Sequence, residues 1–159
     1  MGSEMCIRDR QHLRDRWSAL FRGTLPEKSD TKVTEKDIRE CNLVLFGDPA
    51  SNSVYKKIAE SIHSEPVVDG LWQRIKAVGG ASSKSIVLTM IYPNPLNPKK
   101  YIVLNSGPTF REAHDRTNSL QNPKLPDWAI LDISTPPNGE RAGKVLAAGF
   151  FDENWQFKK

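Results

Sequence analysis

The stretch from residue 42 to residue 53, NLVLFGDPASNS, combines the residue types that a ligand-binding turn requires. Four apolar residues lead into a Gly-Asp-Pro turn, and small polar residues then open a segment with helical periodicity. A tight turn between a strand and a helix N-terminus presents backbone N–H groups that can bind an anion such as a phosphate or a carboxylate. The candidate ligand-binding residues are Gly47, Asp48, Ser51, Asn52 and Ser53.

The same turn also fits an ordinary helix cap. Ser51, Asn52 and Ser53 are all residue types favoured at the N-cap. Pro49 has no N–H to donate, and the carboxylate of Asp48 would repel a phosphate. The loop contains neither G-x-G-x-x-G nor G-x-x-x-x-G-K-[ST]. Two interpretations therefore stay open, a capped structural turn and a small-ligand or anion site.

The sequence contains no complete signature of a catalytic centre. The nucleophile motif G-x-S-x-G of serine hydrolases does not occur. Ser106 is followed by His114 and Asp115, but the glycine two residues before the serine is missing, so we interpret His114 and Asp115 as a pair on a helix surface. A weaker alternative is an enzyme in which folding brings Asp48, His114 and Asp115 together. We expect no catalytic residue.

Composition excludes several other classes of function. The net charge of +4 is scattered along the chain, which predicts no nucleic-acid partner. No apolar run approaches the length of a membrane span, so we expect no membrane partner. Three separated histidines and two cysteines do not form a metal-ligand pattern, and we predict neither a metal nor a cofactor. Cys41 is expected to be a small apolar filler beside a buried strand.

The apolar pattern predicts an α/β fold, a mixed sheet of about five strands with helices on its faces. The run at 43–46 predicts a strand covered on both faces, and apolar residues four apart predict a helix over 53–62. SIVLTMIY and YIVLNSG predict an antiparallel hairpin with the proline-rich loop PNPLNPKK between them. Two further strands are predicted, WAILDIS and KVLAAGFF.

Helical signals occur in three other places. Apolar residues spaced at helical intervals over 13–21 predict a helix that ends before Gly23 and Pro26. Thr34 and Asp37 match a capping box, which predicts a short helix up to residue 40. A helix is expected over 109–120, and residues 67–80 fit a helix and short strands equally well. We expect core and rim packing for three tryptophans, which are Trp72, Trp128 and Trp155.

Four segments together resemble one family: NLVLFGDPASN, IYPNPLNPKKYIVLNSG, LPDWAILDIS and KVLAAGFFDENW. They are similar to the C-terminal region of large prolyl-oligopeptidase-like and acetyl-xylan-esterase-like α/β-hydrolases of planctomycetes and related bacteria. WSALFRGTLPEKSDTKVTEKDI resembles the linker that leads into that region, so the likeness covers about residues 17–157. The resemblance implies a catalytic serine, acid and histidine upstream of this chain, and it carries no catalytic residue over to it.

The chain is expected to divide into three parts. Residues 1–10, MGSEMCIRDR, resemble translated sequencing-adaptor read-through, and we expect the natural reading frame to begin upstream of Gln11. Residues 11–33 are then a helix and linker from the preceding domain, and 34–159 are a C-terminal α/β domain. The expected function is a non-catalytic accessory domain of a larger serine hydrolase, whose partner is the upstream α/β-hydrolase domain. Members of the family tend to be exported. A ligand-binding module at residues 47–53 is the alternative.

Overall fold

The computed structural model describes residues 4–62, 73, 85–105, 126–135 and 143–158. The expected helix at 109–120 and nearly all of the ambiguous segment 67–80 lie outside these residues. The described elements, in chain order, are helix α1 (Glu4–Phe21), a 3-10 turn (Asp30–Lys32), helix α2 (Glu35–Glu40), strand β1 (Leu43–Leu45), helix α3 (Ser53–Ile62), and strands β2 (Ile86–Asn94), β3 (Asn97–Leu104), β4 (Trp128–Asp132) and β5 (Lys144–Gly149).

The five strands form one mixed sheet, as the apolar pattern predicts. Their order is β1-β3-β2-β4-β5. Strand β1 runs parallel to β3, and the other three neighbouring pairs are antiparallel. The predicted hairpin joins β2 to β3, and it places the carboxyl ends of β1 and β3 at the same edge of the sheet.

The strands of this hairpin continue into the proline-rich segment. Pro93 lies in β2 and Pro98 lies in β3, so that only residues 95 and 96 stand between the two strands. The register of the hairpin shifts between Pro93 and Asn94, because a proline has no N–H to donate to the ladder. The amide oxygen of Asn94 accepts the N–H of Leu96 at 3.0 Å, which closes the turn.

Two short-range signals in the sequence are confirmed. The hydroxyl of Thr34 accepts the N–H of Asp37, and the carboxylate of Asp37 accepts the N–H of Thr34 at 2.8 Å. This reciprocal pair is a capping box at the start of α2. Helix α1 ends at Phe21, where Arg22 adopts a φ of 53° just before the predicted stop at Gly23.

The main core lies on the face of the sheet that α3 covers. Val54 and Ile58, spaced one helical turn apart, are both buried against this face. The strand residues that complete the core alternate along each strand, as a period of two requires. They are Leu45, Leu88, Met90, Tyr92, Ile102, Leu104, Trp128 and Ile130. A second, smaller cluster on the opposite face contains Ala129, Leu131 and Ile133.

Strand β1 does not match its prediction in full. It is an edge strand of the sheet, and Val44 keeps 43% of its surface exposed while Leu45 is buried. Val44 alternates with the core residue Leu45 and therefore points to the other face. The prediction of cover on both faces is wrong for this strand. Cys41 is also exposed, since it caps the C-terminus of α2, and it is not an apolar filler.

Aromatic residues close the end of the main core. Phe151 and Phe157 form an isolated antiparallel bridge, and their rings contact the rings of Tyr92 and Trp128. Trp128 is buried, and Trp155 packs at the edge of the core. Core and rim packing is thus confirmed for these two tryptophans, while Trp72 lies outside the described residues. In the part of the chain that the structure describes, no helix is both long and apolar enough to cross a bilayer.

Gly149 provides a test of this packing. It pairs with Trp128 across β4 and β5, and a Cβ at position 149 would lie 2.8 Å from Cζ2 of the indole. We expect Gly149→Ala to lower the free energy of unfolding by about 1–3 kcal/mol, because the buried ring must move. Urea denaturation measures the change. Ala148→Val, on the exposed neighbour, is the matched control and should change stability by less than about 0.5 kcal/mol. Equal effects of the two substitutions would contradict the assignment.

Candidate functional site

The candidate turn lies at the carboxyl end of the only parallel strand pair in the described sheet. Strand β1 ends at Leu45, and the turn follows directly, beside the end of β3 at Leu104. In sheets that contain parallel strands, ligands bind most often outside the carboxyl ends of those strands. The sheet topology therefore places the turn where a ligand site would be expected, and the hydrogen bonds of the turn decide what it can bind.

Gly47 turns the chain out of the strand. Its φ is 102°, and a Cβ at this position would lie 2.6 Å from Oγ of Ser51. Both the backbone conformation and the lack of space require glycine here. The Ser51 hydroxyl in turn accepts the N–H of Asp48 at 3.1 Å, so the small polar residue closes the turn internally.

Asp48 occupies backbone donors of the turn with its own carboxylate. Its Oδ1 accepts the N–H groups of Ala50 and Ser51 at 2.9 and 2.8 Å. The sequence indicated that this carboxylate would repel a bound anion; in the structure the carboxylate is itself the anion that these backbone donors hold. Two of the donors that a phosphate would use are therefore already engaged.

Asn52 is the N-cap of α3. It is the one of the three residues favoured for this role in the sequence that caps the helix. Its Oδ1 accepts the N–H groups of Val54 and Tyr55 at 3.1 and 3.0 Å, the N2 and N3 positions of the helix. Its Nδ2 donates to the carbonyl of Phe46 at 3.1 Å. One side chain thus joins the end of β1 to the start of α3. Ser53 is the first residue of the helix and not its cap.

Asp30 completes the cap from a distant part of the sequence. Its Oδ2 accepts the N–H of Ser53 at 2.8 Å. This backbone hydrogen bond is the main reason why the pKa of Asp30 lies below its ordinary value. Asp30 is not among the predicted site residues, because it falls in the segment 11–33 that is expected to be a helix and linker. No local pattern connects residues that are 23 positions apart.

Asn105 is a second residue of this arrangement that the sequence does not predict. It is buried, and it adopts a φ of 49° directly after β3. Its Oδ1 accepts the N–H of Gly47 at 2.9 Å, while its Nδ2 donates to the carbonyls of Gly47 and Leu88, both at 3.1 Å. Its own N–H donates to Leu45 at 2.8 Å. The only available signal was an asparagine at a strand end, a residue type that tolerates positive φ.

Together with the carbonyls of Asp48 and Asn52, these side chains accept the backbone N–H groups of the turn and of the start of α3. Each backbone N–H from residue 47 to residue 56 donates to an acceptor of the chain, apart from Pro49, which has none. An incoming anion would have to displace the carboxylate of Asp30 or of Asp48. Near this turn, burial raises the pKa of Tyr55, with a further contribution from Asp48, so the phenol stays neutral at physiological pH.

Of the residues named in the weaker catalytic alternatives, only Asp48 belongs to the described part of the chain. Asp48 is in the turn, whereas Ser106, His114 and Asp115 lie outside the described residues. Within the described ranges, no group of three histidine, cysteine, aspartate or glutamate side chains is placed to hold a metal ion. The five candidate ligand-binding residues do come together, in a hydrogen-bonded cap.

Comparison with known proteins gives no relative. No family model, no curated protein and no solved structure matches this chain.

Two substitutions of Asn105 separate the contribution of its side-chain hydrogen bonds to stability from the contribution of its positive φ. We expect Asn105→Ala to reduce the free energy of unfolding by about 3 kcal/mol or more, since it leaves buried backbone groups at Gly47 and Leu88 without partners and forces alanine to a positive φ. Asn105→Gly loses the same side-chain bonds but accepts that φ, and it should be more stable than Asn105→Ala by about 1 kcal/mol. Urea denaturation of both variants measures the difference. An alanine variant as stable as the glycine variant would contradict this role.

Proposed function

We propose that this chain is a non-catalytic accessory domain from the C-terminal end of a larger serine hydrolase of the prolyl-oligopeptidase-like or acetyl-xylan-esterase-like kind. In this proposal the catalytic serine, acid and histidine belong to an upstream α/β-hydrolase domain of the same polypeptide, and the present chain packs against that domain. The proposal begins from the four segments that resemble the terminal region of those enzymes.

The observation that carries the proposal is that the backbone N–H groups of the turn at residues 47–53 already donate to acceptors of the chain itself. A binding or catalytic turn keeps its backbone donors available for a substrate or a developing negative charge. Here Asp48, Asn52 and Asp30 occupy those donors with the chain's own oxygens. Such a turn stabilises the junction between strand and helix, which is what a structural domain needs.

Helix α1 supports the proposed packing against a second domain. The rings of Trp17 and Phe21, one helical turn apart, contact each other at a tilt of 45° with centroids 4.5 Å apart, yet Phe21 remains 65% exposed. Among the described residues, neither hydrophobic cluster includes a side chain from α1. An aromatic pair at the end of a helix, outside the core of its own domain, is suited to contact a neighbouring apolar surface.

The alternative function is a small-ligand or anion-binding module. The observation in its favour is the position of residues 47–53 at the carboxyl ends of the parallel pair β1 and β3. In this alternative a carboxylate, phosphate or sugar would replace Asp30 or Asp48 as the acceptor of the helix N–H groups. Ligand binding would then compete with a hydrogen bond of 2.8 Å at Ser53.

The first test is enzymatic. The purified chain should not hydrolyse an acyl ester such as p-nitrophenyl acetate, or a proline-containing peptide, faster than the uncatalysed background, because the proposed nucleophile lies upstream. Ser106→Ala is the matched variant, since Ser106 is the serine whose neighbours most resemble a triad in sequence. Turnover by the wild-type chain that is abolished in Ser106→Ala would contradict the proposal.

The second test is genomic. The reading frame upstream of Gln11 should encode G-x-S-x-G between a predicted strand and a predicted helix, as in an α/β-hydrolase. A natural gene that starts at residue 1 and has no hydrolase sequence before it would refute the accessory-domain proposal.

A thermal-shift titration with inorganic phosphate distinguishes the accessory-domain proposal from the ligand-binding alternative. A ligand at about 100 times its dissociation constant stabilises a protein by about 2.7 kcal/mol. The accessory-domain proposal predicts no specific stabilisation by phosphate, and an equal response to sulfate and chloride at matched ionic strength. A shift with phosphate that increases in Asp30→Ala, where the competing carboxylate is absent, would favour the ligand-binding module instead.

A further inference from the structure

Residues 27–33, which we call the strap, contact each of the three described helices. In sequence they read EKSDTKV and have the polar composition of a flexible linker. In the structure they make one charged or hydrogen-bonded contact to α1, one to α2 and one to α3. A carboxylate is the acceptor in all three contacts.

The first contact joins the strap to α1. The carboxylate of Glu27 accepts two hydrogen bonds from Arg14, from Nε at 2.6 Å and from Nη2 at 2.7 Å. This two-point geometry fixes the orientation of the guanidinium relative to the strap, which a single ion pair does not do. The hydrogen bond from Arg14 lowers the pKa of Glu27, and Arg10 adds to the effect.

The second contact joins the strap to α2. Nζ of Lys28 donates to both oxygens of Asp37, at 2.6 and 2.8 Å. Asp37 is also the acidic residue of the capping box with Thr34. One carboxylate therefore both starts α2 and binds the strap, and its pKa is held far below the ordinary range, chiefly by Lys28.

The third contact is the hydrogen bond from the Ser53 N–H to Asp30 at the start of α3. The 3-10 turn at residues 30–32 holds this side chain in place, with Lys32 N–H donating to the carbonyl of Ser29 at 2.8 Å. Val33 then packs against the main core. The segment is thus bound at both ends and in the middle.

We propose that the strap is a conformational device that docks α1 onto the sheet domain and opens when the three carboxylates in its contacts, Glu27, Asp30 and Asp37, lose their charge. Residues 27–33 are ordered by these contacts and release as a unit, while the sheet stays folded. The inference concerns the mobility of α1 relative to the sheet. It does not depend on the proposed accessory-domain function.

The sign of the pH dependence follows from the three carboxylates. The charged groups that face them are Arg10 and Arg14 on α1, with Asp15 beside Arg14, and Lys28 on the strap itself. On α3 the facing group is the neutral N–H of Ser53. A carboxylate with a lowered pKa in the docked state stabilises docking above its ordinary pKa, and this contribution is lost as the pH falls through the docked-state pKa. The strap is therefore docked at neutral pH and opens in acid.

The three contacts should differ in their sensitivity to salt. The pairs Arg14–Glu27 and Lys28–Asp37 lie at the surface, so about 1 M NaCl should weaken them by screening. The contact between Asp30 and Ser53 involves a neutral donor and should resist salt. Asp30 consequently holds the strap at high ionic strength.

Limited digestion of the full chain with trypsin tests the proposal, because Arg22, Lys28 and Lys32 are cleavage sites in or next to the strap. We expect Asp30→Ala to increase the rate of cleavage at these sites by about fivefold or more, and further in high salt, because the strap then opens independently of the core. Hydrogen exchange of the β2 and β3 amides, measured in parallel, should not change. Glu60→Ala, which removes an exposed carboxylate from α3, is the matched control and should leave cleavage unchanged.

Two outcomes would overturn the proposal. Equal cleavage rates in the wild-type chain and in Asp30→Ala would show that the strap is not held by this contact. Faster cleavage accompanied by faster exchange throughout β2 and β3 would show that Asp30 supports the whole fold and not a separable strap. An NMR titration gives an independent measurement: the Ser53 amide proton should move in acid with a midpoint below the ordinary pKa of an aspartate, because its hydrogen bond lowers the pKa of Asp30. This movement should be absent in Asp30→Asn.

Discussion

The fold depends on hydrogen-bond partners for the backbone N–H and C=O groups at the point where the parallel pair β1 and β3 ends. Three chain segments meet there, and each presents N–H or C=O groups that no strand or helix ladder uses. An unpaired buried group of this kind costs about 1–3 kcal/mol, so a few of them would cancel much of the stability of a small domain. Asn105 is buried in this region and binds the end of β1 at Leu45, the turn at Gly47 and strand β2 at Leu88. The position of α3, and with it the main core, follows from this junction.

The same constraint explains why a motif that looks like a binding turn need not bind. The geometry that suits an anion, a glycine turn followed by a helix N-terminus, creates unpaired donors that must find an acceptor in every state of the protein. A ligand-binding protein leaves them to water and substrate. In this chain Asp48 and Asp30 supply the negative charge internally, and Asn52 supplies the cap. The donors of this turn are occupied partly by its own residues, Asp48 and Asn52, and partly by the distant Asp30.

The polar segment before the domain shows a related effect. Its composition is that of a linker, yet its carboxylates and Lys28 form contacts with all three described helices. Exposed ion pairs of this type contribute little stability each. Their effect here is to define the position of a segment that would otherwise sample many conformations. Helix α1 is therefore joined to the strap by the polar pair of Arg14 and Glu27, while its own Leu13 is buried.

Local features of this protein were determined by its sequence. The capping box of Thr34 and Asp37, the helix over residues 53–62 and the strands of the hairpin each depend on residues a few positions apart, and all of them are confirmed. The tertiary structure decided which distant residues form hydrogen bonds, Asp30 with Ser53 and Asn105 with Gly47. It also decided that Val44 and Cys41 are exposed. The reason is physical. Periodicity and capping are encoded within one or two turns of chain, whereas the partner of a buried polar group is set by which segments the sheet brings together.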